Sequence, residues 1–402
     1  MAQVINTNVM SLNSQRNLNA SGNSLATSIQ RLSSGLRINS AKDDAAGLAI
    51  SERFTTQIRG LDVAVRNAND GISLAQTAEG AMVEIGNNLQ RIRELAVQSA
   101  NATNSKTDRE ALQSEVDQLM SEIDRVAKQT NFNGTKLLDG SFSGKLFQVG
   151  ADAGQTIAID SIANANISSL GQTKLHTTEL TVTAATATAT TAPEYTIAAI
   201  GLSGLTIGGT AIDGVSADAR TVTAASAAAA TDIAKADTAT AAQKLVANIN
   251  AKSGETNVVA EYDADNSKII LTQIAGDSAV AIGGTLAGMT AGTTSEESAV
   301  VADFDITSFG GATKALLIAD KALEEINTAR AQMGAIQNRF SSTVANLSTT
   351  SENLAASRSR IRDTDYAKET AELTRTQILQ QAGTAMLAQA NSAPQSVLSL
   401  LG

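Results

Sequence analysis

Apolar residues at heptad spacing run along both halves of this chain of 402 residues and constrain its fold more than any other feature. Two stripes in the N-terminal part advance by alternating steps of three and four residues. They are Met82, Ile85, Leu89, Ile92 and Ala96, followed by Leu112, Val116, Leu119, Ile123 and Val126. A third stripe near the C-terminus comprises Phe340, Val344, Leu347, Leu354 and Ile361. Because residues at this spacing share one helical face, the stripes predict long helices that pack against one another.

The composition excludes several classes of function. The chain has no Cys and a single His, so disulfides, Cys-ligated metal sites and the two-histidine HExxH motif are impossible. Aromatic residues make up 2% and the net charge is −10, a combination that disfavours nucleic-acid binding. No run approaches the roughly 18 apolar residues of a membrane span. The first ten residues lack the pattern of a cleavable signal peptide. We therefore expect no nucleic-acid partner and no membrane insertion.

Faint signs of a metal site have simpler interpretations. Asp263 opens an acidic loop, but an EF-hand needs Gly and Glu where this chain has Lys268 and Ile274, so a hairpin turn is favoured. The single histidine, His176, has no second His or Cys with which to share a metal, and we interpret it as a residue of a boundary loop. We predict no catalytic, cofactor-binding or metal-binding residues, and hence a protein that is not an enzyme.

Local signals mark element boundaries between the first two stripes and after them. Thr107 and Glu110 have the spacing of a capping box that would open a helix. Asn133-Gly134 and Asp139-Gly140 indicate turns, and Lys136–Gly150 is predicted to form hairpin strands.

The middle of the chain, roughly 177–302, is rich in Thr and Ala and differs in composition from both ends. One helical face is predicted within it, formed by Ala242, Leu245, Val246 and Ile249. The segments Val258–Tyr262 and Lys268–Thr272 read as the strands of a hairpin. We interpret this zone as a small, mostly β domain with one helix. A flexible, poorly packed segment is the alternative.

The two ends, about 1–40 and 365–402, carry apolar stripes too thin to bury alone, with polar residues between them. The simplest partner of each end is the other, which makes one helical bundle with the middle as an insertion. The predicted assembly seam comprises Leu18, Leu25, Ile29, Leu32, Leu354, Ile361, Leu373 and Leu387. Since helices of this kind depend on packing, the ends should order fully only when neighbouring molecules cover them. This indicates a self-assembling protein.

The same ends resemble bacterial flagellin. The motifs that carry the resemblance are MAQVINTNVMSLNSQRNLN at the N-terminus, then Gln30–Ser51, Leu89–Asn101, Thr130–Gly140, Ser359–Asn391 and Ser396–Leu401. The resemblance covers roughly 1–165 and 305–402, and leaves the middle zone out. It implies a mainly α fold with a β-rich insert, in which the N- and C-terminal helices pair into an elongated bundle or coiled coil.

Three domains follow from the resemblance. They are a terminal helical inner-tube domain (1–44 and 358–402), a helical bundle domain with a β-hairpin (45–176 and 303–357) and a variable outer insert of α+β or β type (177–302).

The resemblance also implies a function and its partners. The chain would be a secreted subunit that polymerises with many identical copies into the extracellular flagellar filament for motility. Its C-terminal segment, Thr364–Gly402, would bind an export chaperone, and filament cap and hook-junction proteins would be further partners. The alternative is a flagellin-like surface filament whose insert acts as an adhesin or binding module.

Two sets of residues match flagellin segments recognised by hosts. Those expected to contact the vertebrate Toll-like receptor for flagellin are Arg91, Leu95 and Glu115; otherwise they are ordinary helix surface. Those in the segment recognised by the plant receptor kinase are Lys42, Asp43, Asp44 and Gly47. The simpler interpretation of the second set is a helix start, because acidic residues favour the positive end of a helix dipole.

Overall fold

The computed structural model describes residues 7–191, 193–274 and 280–398, and long helices dominate it. The helices are α1 (Val9–Ser34), α2 (Ala45–Ser99), α3 (Lys106–Gln129), α4 (Ala227–Ala251), α5 (Ser253–Thr256), α6 (Phe309–Arg362) and α7 (Tyr366–Leu398), with a 3₁₀ turn at Val301–Asp303. Its division into two compact units groups the described parts of 1–71, 146–157 and 339–402 in the first unit, and 72–145 and 158–338 in the second. Each unit is built around helices with a β-rich addition in the second.

The strands are short apart from two in the insert. They are β1 (Asn131–Phe132), β2 (Thr135–Lys136), β3 (Lys145–Gln148), β4 (Thr156–Ile159), β5 (Thr173–Val182), β6 (Ala187–Thr191), β7 (Glu194–Ile197), β8 (Ile200–Leu202), β9 (Thr206–Ile207), β10 (Thr210–Ala211), β11 (Val215–Ala217), β12 (Arg220–Thr223), β13 (Val258–Asp263), β14 (Lys268–Gln273), β15 (Ile282–Gly283) and β16 (Met289–Ala299).

In the first unit, α1 and α7 lie antiparallel and confirm the predicted pairing of the two ends. The Asn8 side chain donates a hydrogen bond to the Ala390 carbonyl at 2.8 Å. Further along, Leu18 faces Gly383, where an added Cβ would stand 3.2 Å from the leucine methyl. The pairing continues to Arg31, which faces Glu369 on α7.

Helix α1 ends and helix α7 begins at the same level, which we call the joint. Gly35 ends α1 with φ 68°, a left-handed conformation that favours glycine. Leu36 then forms an antiparallel bridge with Asp363, and the Thr364 N–H donates to the Gly35 carbonyl at 3.0 Å. The Arg37 N–H donates to the Arg362 carbonyl at 2.7 Å. Backbone hydrogen bonds therefore hold together two segments that have left the helical conformation.

The aromatic core of the first unit is small and is centred on Phe340. Its side chain is fully buried and meets the Phe147 ring edge-on, with centroids 5.6 Å apart and planes at 82°. Strand β3 supplies Phe147 and is fixed to α2 by a 3.0 Å hydrogen bond from the Asn67 amide to the Gln148 carbonyl. Gly71 leaves room for the ring, because a Cβ there would lie 2.7 Å from it.

The bundle of the second unit confirms the heptad predictions. All five members of the stripe from Met82 to Ala96 are fully buried. In the stripe on α3, Val116 and Ile123 are fully buried, whereas its other members are half-buried. The stripe on α3 is therefore the edge of the core and the one on α2 its centre.

The predicted capping box is wrong by two residues. Helix α3 begins at Lys106, so its cap is Ser105, whose hydroxyl accepts from the Asp108 N–H at 3.2 Å. The Asp108 carboxylate in turn accepts from the Ser105 N–H at 3.0 Å. Asp108, at the third helical position, completes the reciprocal pair as a Glu would. The actual capping box, Ser105 and Asp108, therefore begins two residues before the predicted one, Thr107 and Glu110.

The predicted strands of Lys136–Gly150 are correct only in part. Strands β1 and β2 pair across Asn133-Gly134, both with positive φ, but strand β3 pairs with β4 beyond the predicted segment. At the second turn, the Asp139 carboxylate accepts from the Ser141 N–H and hydroxyl, which satisfies the backbone locally without starting a hairpin.

The insert is folded and is not a flexible, poorly packed segment, so the first of the two interpretations is confirmed. Its main sheet has the order β13-β14-β5-β16, and smaller sheets have the orders β12-β7-β6, β11-β8 and β10-β9-β15. The predicted hairpin is confirmed, with Val258 opposite Gln273 and Asp263 opposite Lys268. On α4, the predicted apolar face packs against this sheet in one core.

His176 lies within β5 and not in a boundary loop, so a strand runs through the predicted boundary at 176/177. The division into three domains stays a prediction.

Candidate assembly surface and recognition sites

The contact between α1 and α7 buries small and polar side chains. Ser11, Ser28 and Thr376 are buried, and Ala390 and Gly383 keep the helices close. The Thr376 hydroxyl donates to the Glu372 carbonyl within its own helix, so its burial leaves no unpaired donor. Such a contact allows close approach, while larger apolar side chains of the two helices, such as Leu18, are only half-buried.

Seven large apolar side chains of the same two helices lie on the outside. Between 47% and 65% of each is exposed, and they are Val9, Met10, Leu12, Ile29, Ile378, Leu379 and Met386. We call these seven residues the outer apolar face. A side chain of this size contributes about 1.5–3 kcal/mol when it is fully buried. Large apolar side chains that a single chain leaves in water are candidates for association with other molecules.

The residues predicted as the assembly seam have a mixed placement. Seven of them are half-buried in the structure: Leu18, Leu25, Leu32, Leu354, Ile361, Leu373 and Leu387. The eighth, Ile29, is 51% exposed and belongs to the outer apolar face. Sequence reasoning did not assign the other six members of that face to the seam. On α1 the other members, Val9, Met10 and Leu12, are too close together in sequence to form a stripe, so helical periodicity gives no signal for them.

Charged residues surround the joint. Arg31 lies 3.7 Å from Glu369, and Arg362 lies 3.1 Å from Glu52 on α2. The Asp43 carboxylate lies close enough to Arg31 to be stabilised by its charge.

The predicted plant-receptor segment forms the loop that opens α2. Backbone N–H groups of Ser40 and Asn39 donate to the Asp43 carboxylate at 2.9 and 3.1 Å. These hydrogen bonds, with a further one from the Ser40 hydroxyl, lower the pKa of Asp43 below its ordinary value. Asp44 caps the helix by accepting from the Gly47 N–H at 2.8 Å.

Gly47 and Lys42 differ sharply in exposure. Gly47 is buried, and a Cβ there would lie 2.7 Å from Ile38, so a larger residue would displace the loop. Lys42 is exposed. Three of the four predicted residues thus have a local structural role, and Lys42 and Asp43 are those that reach the surface.

The predicted vertebrate-receptor residues divide in the same way. Arg91 forms a 2.8 Å ion pair with Glu115 on α3 and a 3.0 Å pair with Glu94, and these hydrogen bonds raise the pKa of Arg91. About half of the Arg91 and Glu115 side chains is exposed. Leu95 is only 1% exposed, so its side chain belongs to the core beneath this ion pair and not to the surface.

The acidic loop at Asp263 has the geometry of a hairpin turn. The N–H groups of Asp265 and Asn266 donate to the Asp263 carboxylate at 3.0 and 3.2 Å. Hydrogen bonds, chiefly from the Asn266 side chain, lower the pKa of Asp263. In the part of the chain that the structure describes, no cluster of three or more His, Asp or Glu residues could hold a metal ion. Nor does any helix in that part have the length and apolarity to cross a membrane.

Comparisons with known proteins agree on one family. The family model of the bacterial flagellin N-terminal helical region matches residues 5–143, and that of the C-terminal helical region matches residues 316–401. Flagellin D of Vibrio anguillarum is 45% identical over 419 aligned residues, and flagellin B of Vibrio cholerae serotype O1 is 43% identical over 407. Both alignments cover 100% of each chain.

Solved structures superpose less closely. The structure of FliC from Burkholderia pseudomallei is 25% identical, with a TM-score of 0.37, over 67% of this chain and 99% of that chain. The flagellar junction protein FlgL from Legionella pneumophila is 14% identical, with a TM-score of 0.42, over 78% and 99%.

Proposed function

Because this chain belongs to the bacterial flagellin family, whose members are structural filament proteins and not enzymes, we propose that it polymerises through its terminal helices into a motility filament. One observation carries the proposal: the pair of α1 and α7 leaves seven large apolar side chains exposed to water, while the side chains that it buries fully among the described residues are small or polar. Such a pair is preformed but incomplete. Copies of the same chain complete it when they cover the outer apolar face.

The proposed mechanism follows from the energetics of that face. Each subunit presents apolar side chains on both terminal helices, and each also needs them covered. Association removes this surface from water and thereby stabilises helices that a single contact holds weakly.

Seeded growth tests this proposal. The purified chain would be dissociated by heat or acid, returned to neutral pH with short filament seeds, and followed by light scattering and electron microscopy. We expect filaments from the full chain, none after deletion of about 1–40, and filaments again after deletion of about 177–302. Growth that does not depend on the first 40 residues would contradict the role given to the terminal helices.

The same exposed face supports the proposed partners before and during assembly. We propose that the segment Thr364–Gly402 binds an export chaperone, since α7 presents Ile378, Leu379 and Met386 to solvent. Secretion to the extracellular filament, and contacts with cap and hook-junction proteins at its ends, belong to the same proposal. An insert that acts as an adhesin or binding module stays a prediction.

A second proposed function is recognition by a vertebrate host receptor through Arg91 and Glu115. The supporting observation is that their ion pair bridges α2 and α3 and fixes two half-exposed charged groups in one place. The contact predicted for Leu95, and the plant-receptor role of Lys42, Asp43, Asp44 and Gly47, stay predictions.

Replacing Arg91 and Glu115 together by alanine should reduce receptor activation by the monomeric chain about tenfold, because arginine is among the residues that most often dominate binding energy at an interface. Activation of reporter cells that express the flagellin receptor would be measured. Arg125→Ala is the matched control, since Arg125 is equally exposed and pairs with Glu122 within α3. Equal activation by the double variant and the control would refute this contact.

A further inference from the structure

Glu369 is an unusual residue in this chain. Among the residues that the structure describes, it is the only acidic or basic side chain that is classed as buried, with 8% exposed. It lies in the first turn of α7, directly beyond the joint. Its partner across the contact is Arg31, at 3.7 Å, whose side chain is one-third exposed. Burying a carboxylate is unfavourable unless a cation accompanies it.

The small residues of the contact do little to select an alignment of the two helices. Ser28, Thr376 and Ala390 are small and offer little steric resistance to a displacement by one helical turn, whereas Leu18 would move from Gly383 to Leu379 or Leu387. Hydrogen bonds at the far end, such as that from Ser11 to Asn391, join neutral groups for which water can substitute. Small residues permit close contact at several registers, whereas a buried charge lies beside its counter-charge at only one register.

The sequence of α1 offers Glu369 no second cation within one turn of Arg31. Its described residues include two cations, Arg16 and Arg31, which are 15 positions apart. Displacing α7 by one turn would place Glu369 opposite Ser28 in one direction or Gly35 in the other, and neither is cationic. The carboxylate would then be buried without its partner, which is strongly destabilising.

We propose that the pair of Glu369 and Arg31 sets the register of the two terminal helices, with Glu369 as the positioning residue. The consequence for filament growth rests on the proposed function, since the register decides which members of the outer apolar face lie side by side. The register itself does not depend on it and can be measured in the unassembled chain.

Disulfide trapping measures the register directly, because the chain has no cysteine of its own. Leu18→Cys with Gly383→Cys reports the native register, since an added Cβ at Gly383 would lie 4.0 Å from that of Leu18, within disulfide range. Leu18→Cys with Leu379→Cys or Leu387→Cys reports a displacement by one turn in either direction. The full chain would be oxidised as a monomer at neutral pH, and intramolecular products would be quantified by mass spectrometry.

In the parent chain we expect the native product to dominate. With Glu369→Gln, the displaced products should rise about tenfold, because the charge that selects the register is gone. Glu372→Gln is the matched control: it removes the same charge one turn along α7, from a residue that pairs with Arg375 on its own helix. It should leave the products unchanged.

The backbone bridge at the joint offers a competing cause for the register. If that bridge alone sets it, Glu369→Gln will give displaced products at the level of the parent chain and of Glu372→Gln, and the proposal is overturned. Circular dichroism shows whether the variant keeps its helices. Loss of helix with Glu369→Gln would also overturn it, because the residue would then support folding and not alignment. Failure of seeded growth with an unchanged register would count against the proposed function alone.

Discussion

Ile378→Asp and Met386→Asp should each abolish seeded filament growth while leaving the folded monomer intact. These side chains are 59% and 63% exposed in the single chain, so an aspartate there is solvated and costs the monomer little. In a filament the same positions would be covered by neighbouring copies. An unpaired carboxylate at such a contact costs several kcal/mol at each repeat, enough to stop growth. Light scattering after seeding measures growth, and thermal unfolding followed by circular dichroism measures the monomer.

A control on the same helix separates lost apolar contact from added charge. Gln381→Asp introduces one negative charge at an exposed position that is already polar and lies outside the outer apolar face. We expect it to grow filaments at close to the parent rate. Normal growth of the Ile378→Asp and Met386→Asp chains would show that this face is not where subunits meet.

The outer apolar face also shows where sequence reasoning succeeded and where it failed. The stripe from Met82 to Ala96 was predictable because large apolar residues at heptad spacing have only one favourable placement, the core. The ends were predicted to pair because each carries an apolar stripe too thin to bury alone. In α1 and α7, however, the apolar residues are divided between two directions, and periodicity alone does not say which direction faces the partner helix. Ile29 was assigned to a seam and lies on the outside.

Features that depend on two distant segments were beyond the reach of the sequence. The burial of Glu369 follows from its position opposite Arg31, 338 positions away along the chain, and neither residue is unusual in its local context. Leu95 was expected at a recognition surface, whereas its place in the core depends on the helices packed around α2. Local signals were more informative: the hairpin around Asp263 was predicted, since turn chemistry lies within a few residues.

Phe340→Ala should lower the free energy of unfolding of the first unit by about 3–5 kcal/mol, the usual loss for a fully buried aromatic side chain. The substitution leaves a cavity beside Phe147 and removes the edge-on ring contact, which contributes further. Urea unfolding followed by circular dichroism would show the loss as an earlier transition. Hydrogen exchange at β3 should accelerate with it, because this strand is anchored by Phe147.

Gly71 allows the same contact to be tested from the other side. Gly71→Ala adds a Cβ about 2.7 Å from the Phe340 ring, so it should destabilise the parent chain, by roughly 1–3 kcal/mol for overpacking. In a Phe340→Leu chain, which has a smaller side chain there, the same change should cost much less. This non-additivity is the signature of direct contact, since distant substitutions add. An equal cost in both chains would mean that the ring and the glycine do not constrain each other. Gly86→Ala, where the nearest side-chain atom would be 3.9 Å from the new Cβ, is the control for adding a methyl group to α2.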